Sequence, residues 1–332
     1  MVVILCKQVL KIRMNCIKEV ILMVQREQIR PKRRSIWLQM KRDWQLYLFV
    51  LLPVVYYVIF HYLPIYGIQI AFKNYKLAVG IEGSPWVGLK NFNKFFSSYS
   101  SWRLISNTLL LNLYGLIIDF PIPIFIALML NRIQSQRYKK FTQTVIYIPH
   151  FISTVVMAGM LYIMLDTSGV INTLIRALGG QTVAFMAEAK WFRTVYIASG
   201  EWQNAGWNTI LYIAALTAVD PEIYEASTID GATIWQKIRY IDIPSVIPIA
   251  MMMLILNSGR LLGGDATKAL LLQTAGNTAT SDIIGVYVYN VGLTQGQFSY
   301  TAAIGLFQNV ISFAMVVLVN TITKRISSIG MF

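Results

Sequence analysis

DPEIYEASTIDGATIWQKIRYIDIPSVIP, residues 220–248, is a polar interruption between two strongly apolar segments. It carries five acidic and only two basic residues. Asp220 followed by Pro221 predicts a helix start, with a side-chain cap and a proline at the first helical position. Glu222 and Glu225 fall in the first turns, where the positive end of the helix dipole favours acids. Asp230-Gly231 predicts a turn. A second short amphipathic run follows, with Trp235, Ile238 and Ile241 at spacing three, and Pro244 is expected to stop it. A helix–turn–helix this short cannot be a domain. Set between apolar segments, it reads as a protrusion that another molecule grips.

The composition outside this stretch says what the protrusion projects from. The 332 residues are 56% hydrophobic and 13% charged, with a mean hydropathy of +0.54. A soluble globular domain carries roughly 25% charged residues, so the chain reads as a polytopic membrane protein of the all-α class. Cys6 and Cys16 both lie in the first twenty residues and imply no disulfide framework. His61 and His150 have no Cys or His partners at metal-ligand spacing, so no metal site is read from them.

The formal net charge of +14 raises the question of nucleic acid. Its distribution answers otherwise, because 11 of the 29 basic residues lie in residues 1–43, ahead of the first long apolar segment. That is the pattern of a cytoplasmic flank beside an anionic leaflet, with membrane lipids and not nucleic acid as its neighbour. Residues 1–30 are expected to be poorly ordered or surface-bound. Met1, Met14 and Met23 remain alternative starts, and no cleavable signal is read there.

Six apolar segments are predicted, at about 45–63, 104–131, 142–165, 195–219, 245–264 and 300–323. Pro121 and Pro123 are expected to kink the second. With residues 1–43 inside, the inside regions 1–43, 132–141, 220–244 and 324–332 hold 19 basic residues, against 9 in the longer outside loops. Both termini and the 220–244 loop are therefore expected on the cytoplasmic side, where ATP is available. The outer stretch 81–103 is expected to lie at headgroup level through Trp86, Phe92, Phe95, Phe96 and Trp102. A docking surface for an external partner is the other reading of those aromatics.

Several chemistries have no motif in the chain. It contains no G-x-x-x-x-G-K-[ST] run, no G-x-S-x-G and no H-E-x-x-H. An enzyme reading has nothing to rest on, and any ATP-driven work needs a P-loop from another chain. Polar residues nevertheless gather inside the apolar segments: Asn107 and Asn112 in the second; Glu201, Trp202, Asn204, Trp207 and Asn208 in the fourth; Asn257 and Arg260 in the fifth; Gln308 and Asn309 in the sixth. Amides, a carboxylate and indoles together suit a sugar, whose hydroxyls need donors and acceptors and whose apolar face stacks on rings. Helix–helix hydrogen bonding is the competing role for each residue singly. Asp119, beside Pro121, is the candidate for an ion-coupling carboxylate, or else a partner at the kink.

At residues 220–248 the pattern resembles the "EAA" loop of type I binding-protein-dependent ABC importer permeases. It is carried by Glu225-Ala226-Ser227, then Asp230-Gly231-Ala232, Ile241, Ile243-Pro244 and Pro248. Ser227 replaces the second alanine and Ile243 the leucine of that pattern. Over roughly residues 40–332, KRDWQLYLFVLLP, GSPWVGLKNF, YIPHFIS, LTAVDPEIYEASTIDGA and GQFSYTAAIGLFQ are similar to the oligosaccharide/polysaccharide branch related to the maltose permeases. Residues 260–280 depart from it.

The resemblance implies a bacterial inner-membrane, multi-pass permease subunit with a six-helix fold. Its parts would be a basic segment 1–43, a first helix and outer loop 44–103, a five-helix core 104–323 and a tail 324–332. It implies a second homologous permease subunit, two cytoplasmic ATPase subunits that bind ATP and Mg in its place, an external solute-binding protein and an oligosaccharide substrate. Glu225, Ala226, Ser227, Asp230, Gly231, Ala232 and Pro244 would form the ATPase-coupling element. There Glu225 would meet a basic side chain, small Ala226 and Ser227 would allow close approach, Gly231 would permit a turn a Cβ would obstruct, and Pro244 would join the element to the membrane. Asn112, Glu201, Trp202, Asn204, Trp207, Asn208, Asn257, Arg260, Gln308 and Asn309 would line the substrate pathway. An ion-coupled secondary transporter is the alternative, marked by midplane carboxylates and uptake without an ATPase. A membrane-anchored assembly or receptor protein is the third, and leaves the polar set without a use.

Overall fold

The structure, a computed structural model, describes residues 42–327. The expectations for the basic N-terminal segment before residue 42 and for residues 328–332 lie outside them. The chain divides into two compact units, one ending at Tyr66 and the other beginning at Gly67. In the first, α1 (Trp44–Tyr57) has no buried residue and continues into a π turn at Val58–Tyr62. A helix that is apolar on every face belongs in lipid.

The second unit is built from helices, and its β content among the described residues is two isolated bridges, Lys73 with Trp86 and Lys76 with Gly80. Its main elements are α2 (Lys90–Phe96), α3 (Ser101–Asp119), α4 (Pro121–Arg132), α5 (Gln136–Tyr147) and α6 (Thr154–Leu165). After these come α7 (Ala189–Thr217), α8 (Pro221–Ile229), α9 (Ile234–Lys237) and α10 (Ile243–Ser258). The last are α11 (Ala266–Leu272), α12 (Ile284–Tyr289) and α13 (Phe298–Ser327).

Helix α7 is the hub, packing on α3, α4, α5, α10 and α11. Phe192, Ile197, Tyr212 and Leu216 on it are buried in two of the three apolar clusters. Where α7 meets α5 the backbones approach so closely that a Cβ on Gly206 would collide with the Ile146 carbonyl. The third cluster joins Phe95 of α2 and Leu104 of α3 to Leu262, Ile284, Tyr300 and Ile304.

Five helical runs are long and apolar enough to cross a membrane: Trp44–Phe72, Ser101–Arg132, Thr154–Ala177, Ile234–Ser258 and Phe298–Arg325. The predicted count was six. The segment predicted at 195–219 is α7, whose 29 residues span about 43 Å. It is long enough, but Glu201, Gln203, Asn204 and Asn208 make it too polar to count by composition. The second run passes from α3 to α4 at Phe120, where Pro121 supplies no N–H to the ladder.

Three expectations need correction. The segment predicted at 142–165 is broken: α5 ends at Tyr147, a 3-10 turn carries Pro149, and a new helix starts where the Ser153 hydroxyl accepts from the Val156 amide at 3.3 Å. Pro244 does not stop the run before it. The helix continues from Ile234 to Ser258 through a π turn at Ile238–Asp242, where the Ile243 amide bonds back to the Ile238 carbonyl. That wider turn changes the ladder just ahead of the proline, so the missing N–H breaks nothing. Phe95 is not exposed as a residue of an aromatic belt would be. It is buried in the core with its ring near Phe307, whereas Trp86, Phe96 and Trp102 are exposed.

Candidate functional site: a polar cavity and a protruding helix

A cavity of about 790 Å³ opens among α3, α7, α10 and α11. Residues 201, 204 and 208 lie three and four apart, so Glu201, Asn204 and Asn208 share one helical face, and that face lines the cavity. Asn112, Asn257 and Arg260 line it from α3 and from the end of α10. Six of the ten residues predicted for a pathway therefore meet in one place.

The other four lie elsewhere. Trp202 and Trp207 point off the polar face of α7, and Trp207 stacks on His150 with ring centroids 4.4 Å apart. The Gln308 amide donates to the Leu262 carbonyl at 2.6 Å, which fixes α13 to the chain after α10. Asn309 is exposed on α13 and does not line the cavity. Asn107 is buried and donates to the Ala279 and Asp282 carbonyls, so it is a helix–loop brace.

The lining is held by hydrogen bonds within and between its helices. Asn112 donates to the Leu261 carbonyl at 3.0 Å, and Asn204 donates to the Gly200 carbonyl while its oxygen meets His150 Nδ1 at 3.0 Å. Gln203 donates to the Ile152 carbonyl at 2.6 Å. Glu201 is only 7% exposed, and its carboxyl lies beside that of Asp119. Asp119 reaches the same cavity from α3, close enough to interact with Glu201.

Sequence reasoning missed Gln203, Tyr196, Asp265 and Lys268 in this lining. Lys268 lies on α11, outside the five spans. Its ammonium donates to the Tyr196 carbonyl at 2.6 Å and sits 4.5 Å from that ring. Burial pulls its pKa down to about 8, opposed by the nearby carboxylates of Asp265 and Asp119. The cavity thus offers three carboxyls, two cations and several amides, a set able to hold hydroxyls and carboxylates of a polar ligand.

The second feature is the helix that sequence placed at the start of the polar stretch. Asp220 caps α8 by accepting from the Glu222 amide at 3.0 Å. At its other end the Ala232 amide bonds the Ser227 carbonyl and the Gly231 amide bonds the Thr228 carbonyl, a Schellman ending. Gly231 has φ +74° with open space around it. The turn therefore uses a backbone conformation that a Cβ disfavours, as expected, and no neighbouring atom adds to that obstruction. Thr233 and Gln236 then form a capping box that starts α9.

Glu225, Ala226 and Asp230 are exposed, Ser227 and Ala232 are half-buried, and Ile229 and Trp235 are 87% and 77% exposed. On the other face, the Tyr224 hydroxyl donates to Asp242 at 2.6 Å. Asp242 is fully buried and ion-paired with Arg132.

A family model for the binding-protein-dependent transport system inner membrane component matches residues 120–328, which include α7, the protruding helix and most of the cavity. The chain belongs to that family. The permease is 40% identical over 304 residues to the polygalacturonan/rhamnogalacturonan transport system permease protein YteP of Bacillus subtilis (strain 168), covering 91% of this chain and 95% of the relative. It is 38% identical over 294 residues to the protein LplB of the same organism, covering 88% and 92%. Among solved structures it is similar to a chain of a bacterial ABC transporter that imports the acidic polysaccharide alginate. The TM-score is 0.81 at 36% identity, covering 89% of this permease and 100% of that chain. The type I ABC permease fold follows. Asp119 and Glu201 are the carboxylates an ion-coupled carrier would show, but the family of the permease is that of binding-protein-dependent transport.

Proposed function

We propose that the permease forms half of the translocation path of an ATP-driven importer for carboxylate-bearing oligosaccharides. The observation that carries this reading is the cavity, where Arg260 and Lys268 stand beside the amides of Asn112, Asn204, Asn208 and Asn257. Cations recognise uronate carboxylates, and amides and carboxyls recognise the ring hydroxyls. Support for the substrate class comes from relatives named for polygalacturonan/rhamnogalacturonan and for alginate.

The partners in this reading are a second homologous permease, two ATPase subunits that bind ATP and Mg, and an external solute-binding protein. A related importer has been solved with a pentasaccharide-bound periplasmic protein. Both termini and α8 face the cytoplasm of a bacterial inner membrane, in agreement with the basic residues of the inner loops. Glu225, Ala226, Ser227, Asp230, Gly231 and Ala232 dock in the ATPase, and Pro244 begins the part of the run that enters the bilayer. When the ATPase pair closes on ATP, the docked ends move and the cavity changes the side to which it opens.

The complete importer, reconstituted in vesicles, tests the reading. Oligogalacturonate or oligoalginate is taken up only with binding protein and ATP, and Arg260→Gln or Lys268→Met lowers that uptake more than any uptake of a neutral oligosaccharide. Uptake that persists without ATP and follows an ion gradient would return the ion-coupled alternative.

A further inference from the structure

We propose that Asp242 is a positioning residue that locks the protruding helix α8 to two membrane runs at once, so that all three move as one body during transport. This rests on α8 being the ATPase-docking helix. Asp242 lies in the π turn of the Ile234–Ser258 run and is 0% exposed. Its Oδ1 accepts from the Tyr224 hydroxyl of α8 at 2.6 Å and from Asn131 Nδ2 of α4 at 3.4 Å. Its Oδ2 pairs with Arg132, the last residue of α4. The Arg132 guanidinium in turn sits 5.7 Å from the centre of the Tyr224 ring, and Asn131 also donates to the Tyr224 hydroxyl at 3.4 Å. One carboxylate therefore joins the end of the Ser101–Arg132 run, the docking helix and the start of the Ile234–Ser258 run.

The chemistry makes this joint all-or-none. A carboxylate shut off from water cannot lose its cation and its hydroxyl donor without a large penalty, so the three elements resist separating. Buried ion pairs add little net stability compared with an apolar packing of the same volume, and their best-attested use is to fix register. The π turn supplies the position: a widened turn redirects one side chain inward, and such turns gather at functional sites. The outward face of α8, with Ala226, Ile229 and Asp230, is left free for a partner while Tyr224 is held from behind.

The test uses the assembled importer in vesicles, with ATP hydrolysis and oligosaccharide uptake read in the same preparation. Asp242→Asn keeps the shape and removes the charge, and Tyr224→Phe removes one hydroxyl. Both complexes are expected to assemble and hydrolyse ATP within about twofold of the parent, while uptake per ATP falls about tenfold for Asp242→Asn and about threefold for Tyr224→Phe. Unchanged uptake per ATP in Tyr224→Phe and Asp242→Asn overturns the proposal, as does a parallel fall of uptake and hydrolysis, which marks a purely structural role. If Asp242→Asn does not assemble, Tyr224→Phe decides.

A second measurement is independent of the sugar. With Cys6 and Cys16 replaced by serine, spin labels on Glu222→Cys and Gln134→Cys keep one sharp distance with and without nucleotide in the parent, and broaden on adding ATP in the Asp242→Asn complex. Equal broadening in the parent overturns the lock. A parent complex that transports none of the oligosaccharides while keeping that fixed distance counts against the transport reading and leaves the lock standing.

Discussion

Gly231 stands at φ +74° with nothing within 4 Å of the place a Cβ would take. Alanine therefore fits but is strained by about 1 kcal/mol. Gly231→Ala is expected to loosen the turn, seen as about fivefold faster hydrogen exchange at the Ala232 amide, with little change in assembly. Lys268 carries a second residue-scale prediction. With its pKa pulled to about 8, it is charged below that pH and neutral above it. Uptake of a carboxylate-bearing oligosaccharide is expected to fall as pH rises through about 8, and Lys268→Met is expected to flatten the profile. The stability effect has the opposite sign. An unfolded lysine holds its proton to the ordinary 10.5, so between about 8 and 10.5 the unfolded chain binds more protons and this group favours folding as pH rises. The residues readable in sequence were those a helical period groups together, such as Glu201, Asn204 and Asn208. Lys268 and Asp265 were not readable, because α11 is short and gains its place only by packing against α6, α7 and α12.

At the scale of elements, local chemistry was legible and continuity was not. The Asp220-Pro221 start, the Asp230-Gly231 turn and the position of α8 follow from caps and φ preferences that neighbouring residues decide among themselves. Pro244 misled, because a proline reads as a stop unless the turn before it has already widened, and that widening depends on the burial of Ile238 and Asp242 against other helices. The same limit hid the break at Pro149 within an apolar stretch. The outward face of the α8–α9 unit carries its own prediction. Ile229 and Trp235 are too exposed to support the fold of this chain and are suited to a partner pocket. Trp235→Ala is expected to weaken ATPase docking by about 2 kcal/mol, the size of an interface hot spot. Titration of the ATPase subunit onto the purified permease checks this, with the thermal melting of the permease itself unchanged.

Across the whole molecule, the sequence identified a membrane protein and its family pattern, because apolar runs, charge asymmetry and a fixed-spacing loop motif survive without tertiary knowledge. The count of apolar spans was one too high for a physical reason. Helix α7 lies among five other helices, and a helix shielded by protein can carry a carboxyl and three amides that lipid would not accept. Burial of that helix is what allows a polar cavity to exist inside an apolar bundle. The π turn at Ile238–Asp242 has one more consequence for the molecule. It holds one residue more than an α-turn would need, and a residue in an α-helix is worth about 100° of rotation. The extra residue sets the azimuth of everything before it relative to everything after it. Trp235 therefore faces outward and Val246 inward because of a single residue of winding, and losing that residue would turn the protruding end to another side with no change in composition.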